Sequence, residues 1–99
     1  MNGRTPRASF PTAALRRLLL ESLAPGPAFG TLLVRRVAER TRGEVQLHSY
    51  RVYQTLRSME KDGLIEPRSL PAVHGGRAPS YFGLTDRGWA ALQEARRAA

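Results

Sequence analysis

The chain has 99 residues, 41% of them hydrophobic and 24% charged, which suits one folded domain and excludes a disordered or collagen-like chain. Sixteen Lys and Arg against eight Asp and Glu give a net charge of +8 and a pI near 11.4, so the expected partners are acidic, with nucleic acid first among them. The lack of cysteine excludes disulfide scaffolds, iron–sulfur sites, cysteine nucleophiles and thiolate zinc modules, and points to a cytoplasmic protein.

Fifteen of the sixteen basic residues are Arg. A GC-rich genome would produce Arg over Lys, but not a twofold excess of base over acid. Apolar runs such as Leu18-Leu19-Leu20 are too short to span a bilayer, and the N-terminus has no signal-peptide core. Residues 1–10 carry Gly3, Arg4, Pro6 and Arg7 without periodicity and read as a flexible basic arm.

From Pro11 the pattern turns helical, with Thr12 as the N-cap and Leu15, Leu18, Leu19 and Leu23 along one face. This first helix must stop at Ala24-Pro25-Gly26-Pro27, because proline and glycine cannot continue it. A second helix is expected from near Ala28 to about Thr41, burying Leu33, Val34, Val37 and Ala38 while Arg35, Arg36, Glu39 and Arg40 face water. Gly43 ends it. Val45-Gln46-Leu47 alternates apolar and polar residues and fits a brief strand.

Ser49 offers an N-cap for a third helix that ends at Asp62-Gly63, with Gly63 in the C′ position. Its buried stripe is Val52, Leu56 and Met59, and the opposite face carries Tyr50, Arg51, Gln54, Ser58 and Lys61 with Arg57 at the edge. Leu64 to Arg68 and Ser80 to Leu84 then form a β-hairpin around a long tip, Ser69 to Pro79. Thr85-Asp86 starts a last helix with Trp89, Leu92 and Ala95 as its apolar positions.

The order ααβαββα, mainly α with a small β-hairpin, is that of a winged helix-turn-helix, in which the third helix enters the DNA major groove and the hairpin reaches the flanking backbone or minor groove. Arg51 and Gln54 suit bidentate contacts to guanine and adenine edges, and Ser58 and Tyr50 can donate to bases or phosphates. Arg57 and Lys61 suit phosphate, and Ser49 opens the same face. That face has no carboxylate, since Glu60 falls on the flank. Tyr53, also on the flank, is either a core-edge aromatic or a phosphate donor. In the hairpin tip, Gly75 and Gly76 free the backbone and Arg77 can project into a narrow minor groove.

Enzyme chemistry finds no footing. His48 and His74 lie in loops without metal-ligand spacing, thiols or paired carboxylates, and Gly75-Gly76 lacks the surroundings of a phosphate loop. No catalytic residue, metal or cofactor is expected.

The run SYRVYQTLRSMEKDGLIE followed by GGRAPSYFGLTDRGWAAL resembles the winged-helix domain of the PadR family of bacterial transcriptional regulators. Val52-Tyr53 stands where that family opens its recognition helix with a leucine–tyrosine pair. Leu56, Met59, Gly63, Leu64 and Ile65 meet its next motif, and Gly76, Arg77, Tyr81, Phe82, Leu84, Thr85 and Gly88 meet its wing. Gly30 matches the family's second-helix glycine. Gln54 replaces the usual proline, Pro79 and Ser80 replace basic wing residues, and Tyr50 and Arg51 replace small residues. Base readout therefore belongs to this chain alone.

The resemblance implies a homodimeric repressor on a palindromic operator in double-stranded DNA. Residues 11–84 would form the DNA-binding domain and 85–99 a dimerisation helix. Leu15, Leu19, Trp89, Leu92 and Arg96 are the interface residues it implies, although Trp89 also reads as a core residue of its own monomer. A small aromatic or cationic effector at that interface would meet Trp89. The competing readings are a winged-helix module that binds another protein and a nucleic-acid binder driven by charge alone.

Overall fold

The computed structural model describes residues 11–68 and 81–98. The expected basic arm, the hairpin tip Ser69 to Pro79 with His74, Gly75, Gly76 and Arg77, and Ser80 of the expected second strand lie outside the described residues. The element order is α1 (Thr12–Leu23), α2 (Gly30–Arg40), α3 (Ser49–Lys61), β1 (Ile65–Arg68), β2 (Tyr81–Leu84) and α4 (Asp86–Ala98).

The core is built around α1, which packs against α2, α3, β2 and α4. Leu15, Leu19 and Leu23 form its buried ridge, joined by Leu20. Leu33 and Val37 approach from α2, Val52, Leu56 and Met59 from α3, Ile65 and Leu84 from the hairpin, and Leu92 from α4. A leucine ridge at i, i+4 and i+8 covers one side of a helix, which is why three other helices can share it. Leu18, Val34 and Ala38 sit at the margin, half-buried.

The starts of α1 and α3 differ from the sequence expectation by one residue, for a backbone reason. Leu15 N–H donates to Pro11 C=O at 3.0 Å and Val52 N–H to His48 C=O at 3.2 Å, so Pro11 and His48 are the caps and Thr12 and Ser49 already lie inside their helices. Neither cap supplies a side-chain hydrogen bond.

Helix α2 starts later than expected because Ala28 is extended. Its N–H donates to Phe82 C=O at 3.0 Å and its C=O accepts from Phe82 N–H at 2.9 Å, so neither group is available to a helix. Phe29 beside it meets the Tyr81 ring edge-on at 5.2 Å. The third partner of the hairpin is therefore Ala28, and Val45–Leu47 forms no strand. Val45 N–H is taken by Thr41 Oγ1 at 3.0 Å, and the Gln46 side chain folds back to donate from Nε2 to Gly43 C=O at 3.3 Å, so the segment is a helix connector.

Arg36, expected in water, is half-buried and donates to Ser22 C=O at 2.8 Å and Gly26 C=O at 3.1 Å. These carbonyls belong to the C-terminal turn of α1 and the loop after it, where helical partners run out and a cation is favoured. Glu21 of α1 accepts from Arg96 Nε at 3.1 Å and Nη2 at 2.9 Å, and from Arg40 Nη2 at 3.3 Å, joining α1, α2 and α4 through one carboxylate.

Two helices end in the same hydrogen-bonded reversal. In α3, Gly63 N–H donates to Glu60 C=O at 3.0 Å and Leu64 N–H to Met59 C=O at 2.9 Å, with Gly63 at φ 79°, as the sequence led one to expect. In α2, Arg42 N–H donates to Glu39 C=O at 3.2 Å and Gly43 N–H to Ala38 C=O at 2.7 Å. There Arg42, at φ 55°, occupies the left-handed position ahead of Gly43.

The hairpin and α4 are seated on the end of α3. Strands β1 and β2 are antiparallel, with Ile65 opposite Leu84 and Arg68 opposite Tyr81. Thr85 Oγ1 donates to Gly63 C=O at 2.6 Å and accepts from Gly88 N–H at 3.0 Å, capping α4 while gripping the α3 terminus. Thr85 N–H donates to Leu64 C=O at 3.1 Å. A Cβ on Gly88 would lie 2.1 Å from that same carbonyl oxygen, a collision with rigid backbone.

Two stability predictions follow from these contacts. Gly88→Ala should lower the unfolding free energy by about 2–3 kcal/mol in urea titrations, the magnitude of an overpacked core site. Hydrogen bonding from Arg96, with added attraction from Arg96, Arg40 and Arg17, outweighs burial and holds the Glu21 carboxyl below its ordinary range. Its pairing therefore stabilises the fold at neutral pH and is lost as pH falls through that depressed value. Glu21→Gln should melt below the parent protein at pH 7, and the gap should close progressively in acid below pH ~4.5. A pH-independent gap would show that the side chain acts through packing alone.

Candidate nucleic-acid interface

The outward face of α3 gathers most of the residues expected to meet DNA. Val52, Thr55, Leu56 and Met59 turn inward, which forces Tyr50, Gln54, Arg57 and Lys61 to the opposite side at helical spacing. Tyr50 is 73% exposed, and Ser49, Gln54, Arg57, Ser58 and Lys61 are also exposed, whereas Arg51 is half-buried. Tyr50, Tyr53, Gln54 and Arg57 together line a concavity of about 580 Å³.

Local hydrogen bonds order part of this face. The Gln54 amide Nε2 donates to the Tyr50 hydroxyl at 3.1 Å, one helical turn away, which holds both side chains upright. Thr55 turns its hydroxyl back onto Arg51 C=O at 2.9 Å, satisfying a buried polar group within the helix. Ser58, expected as a base or phosphate donor, accepts a hydrogen bond from Arg16 of α1. Arg16 also donates to Asp62 Oδ2 at 2.8 Å.

Charge is distributed unevenly. Arg16, Arg40, Arg68, Arg96 and Arg97 are ion-paired to Asp62, Glu21, Glu66, Glu21 and Glu94. Arg57 and Lys61 make no salt bridge among the described residues, so their charge faces outward. Among those residues no group of His, Cys, Asp or Glu could hold a metal ion, and no helix is long and apolar enough to cross a membrane.

The residues expected at an interface between copies divide into two sets. Leu15, Leu19 and Leu92 are 0% exposed within the chain's own core, where they hold α1 to α4 and present no surface to a second copy. Trp89 is 40% exposed on α4, and Arg96 is at the surface with its guanidinium engaged by Glu21. An apolar stripe alone does not reveal whether its cover comes from the same chain. Arg16 was not identified from the sequence at all. Its partners lie 42 and 46 residues away, and the one cue was Asp62, an acid near the end of an otherwise basic face.

Three helices, a two-stranded hairpin seated on the third, and an exposed cationic face on that helix define a winged-helix protein. Residues 19–94 match the family model described as the transcriptional regulator PadR-like family, and the chain belongs to that family, one of transcriptional regulators and not of enzymes. A PadR family transcriptional regulator from Eggerthella lenta DSM 2243 is 26% identical, with a TM-score of 0.70 over 86% of this chain and 70% of that one. A PadR-like transcriptional regulator from Bacillus cereus strain ATCC 14579 shares the fold at 23% identity and a TM-score of 0.73, covering 87% of this chain and 81% of its own. Bacillus subtilis PadR in complex with operator DNA superposes at a TM-score of 0.72 and 20% identity, over 84% of this chain but 46% of that longer one. Comparison with curated proteins finds no match.

The pose of α3 depends on a close approach to α2. The Tyr53 ring lies over Gly30, where an added Cβ would come within 2.5–2.8 Å of the ring and hydroxyl. Tyr53 is 42% exposed, a core-edge aromatic whose outer side still lines the concavity. Gly30→Ala should therefore destabilise the fold by about 1 kcal/mol, the low end of overpacking. In a Tyr53→Ala background the same substitution should be neutral or stabilising, because alanine is the better helix residue. Chemical denaturation of the four proteins of this cycle measures the coupling.

Proposed function

We propose that the protein is a homodimeric repressor that binds a palindromic operator, with α3 in the major groove and the hairpin wing at the flanking minor groove. The observation that carries this reading is the outward face of α3, where Tyr50, Tyr53, Gln54 and Arg57 share one concavity beside the unpaired charge of Lys61. Arg51 and Gln54 are the proposed base readers. Ser49, Tyr50, Tyr53, Arg57, Ser58 and Lys61 act with them on base edges or phosphates, and Arg77 takes the minor groove. The operator complex of the Bacillus subtilis relative supports the assignment.

Residues 11–84 form the DNA-binding unit in this reading, 85–99 the dimerisation helix and 1–10 a basic arm. Trp89 is the apolar contact offered to a second copy, and a small aromatic or cationic effector would bind beside it. Two-fold symmetry sets the half-sites about 34 Å apart, one turn of DNA. The protein works in the cytoplasm, where a bacterial operator is found.

A gel shift on the DNA upstream of the protein's own gene, near physiological salt with excess unrelated competitor, tests the proposal. A discrete competitor-resistant complex is expected. Arg51→Glu combined with Gln54→Ala should reduce operator preference about 100-fold or more, the loss of two base-reading side chains, with an unchanged circular-dichroism spectrum. Survival of specific binding in that double variant would show that α3 is not the reading helix. Co-purification of one protein partner, with no shift at low salt, would replace DNA by protein as the target.

A further inference from the structure

Arg16 is the one cation of α1 that reaches the DNA-facing edge of α3. Its Nη2 donates to Ser58 Oγ and, at 2.8 Å, to Asp62 Oδ2. Ser58 and Asp62 are one helical turn apart, so a single guanidinium bridges successive turns of α3 from a different element. The Arg16 side chain is 28% exposed and that of Asp62 is 52% exposed, so the cluster is at the surface, beside Lys61 at the end of the same helix.

We propose that Arg16 supports DNA recognition by masking the carboxylate of Asp62 from the phosphate backbone while leaving the Ser58 hydroxyl proton free. The inference rests on the reading of α3 as the DNA-contacting helix. Two physical consequences support it. Asp62 would otherwise present an unneutralised negative charge next to the phosphate-binding Lys61. Ser58, with its oxygen accepting from Arg16, keeps its hydroxyl proton to give to a phosphate or base acceptor.

This role differs from that of a phosphate ligand or a stability contact, and the difference is measurable. Arg16→Gln should weaken operator binding roughly tenfold, the scale of a coupled neighbour, while the order of preference among operator variants stays the same. Arg16→Gln combined with Asp62→Asn should return to within about twofold of the parent protein, because the carboxylate that needed masking is gone. A phosphate contact by Arg16 would not be restored by changing Asp62. A purely structural role would lower the melting temperature of Arg16→Gln in step with its affinity.

Binding should be measured by fluorescence anisotropy on a labelled operator duplex, beside thermal melts of the parent, both single variants and the double variant. Unchanged binding by Arg16→Gln, or a double variant as weak as the single one, overturns the proposal while leaving the α3 assignment in place. Failure of the parent protein to form any competitor-resistant complex overturns the α3 assignment and this inference with it.

Discussion

One hydroxyl group holds α3, the hairpin and α4 in fixed relation. Thr85 Oγ1 donates to the carbonyl of Gly63 and accepts from the amide of Gly88, so the reversal that ends α3 and the cap that begins α4 share an atom. The Thr85 amide adds a bond to Leu64. Gly63 supplies the left-handed backbone that α3 needs to stop there, and Gly88 supplies the clearance that lets α4 start against the Leu64 carbonyl. Pairing of Ile65 with Leu84 then follows from where the two chain ends have been brought. A hairpin alone is marginal in water. This one is anchored at its base by the corner and on its free side by the backbone pair between Ala28 and Phe82.

The scarce carboxylates are used economically. Glu21 serves Arg96 and Arg40 at once and ties three helices, Asp62 serves Arg16, and Glu66 serves Arg68 within β1. Exposed ion pairs add little stability individually, so the effect of this arrangement is chiefly on where uncompensated charge remains. Arg57 and Lys61 retain theirs on one side of α3, as Arg35, Arg42 and Arg87 do elsewhere among the described residues. The resulting positive field attracts an anionic partner over a distance set by the ionic strength.

What was legible in the sequence and what was not divides along physical lines. The leucine ridge of α1, the inward stripe of α3, the glycine stop at position 63 and the threonine start at position 85 are local signals, set by helical periodicity and backbone angles, and the structure contains each of them. Val45–Leu47 looked like a strand because three residues alternate, yet the Thr41 hydroxyl takes the Val45 amide and the segment pairs with no strand among the described residues. Arg36 looked solvated because its charge marks it polar, yet its guanidinium closes carbonyls at the end of α1. Leu15, Leu19 and Leu92 were apolar positions whose cover comes from the same chain. The outward face of α3 was readable at Tyr50, Gln54, Arg57, Ser58 and Lys61, but not at Arg51, which is half-buried, and the Arg16 bridge to Ser58 and Asp62 was not readable at all. No local pattern encodes a contact between residues brought together only by tertiary packing.

The corner at Gly63, Thr85 and Gly88 is made of main-chain groups and one small side chain, and it draws nothing from the outward positions of α3. Substitutions at Tyr50, Gln54 or Arg57 leave both the leucine core and that corner intact. On the proposed reading of α3, target choice and folding are thereby written in largely separate residues, with Tyr53 over Gly30 serving both, so the helix behaves as an exchangeable cassette. A lineage, or an engineer, can rewrite its outer face through many unfinished intermediates without passing through an unfolded one.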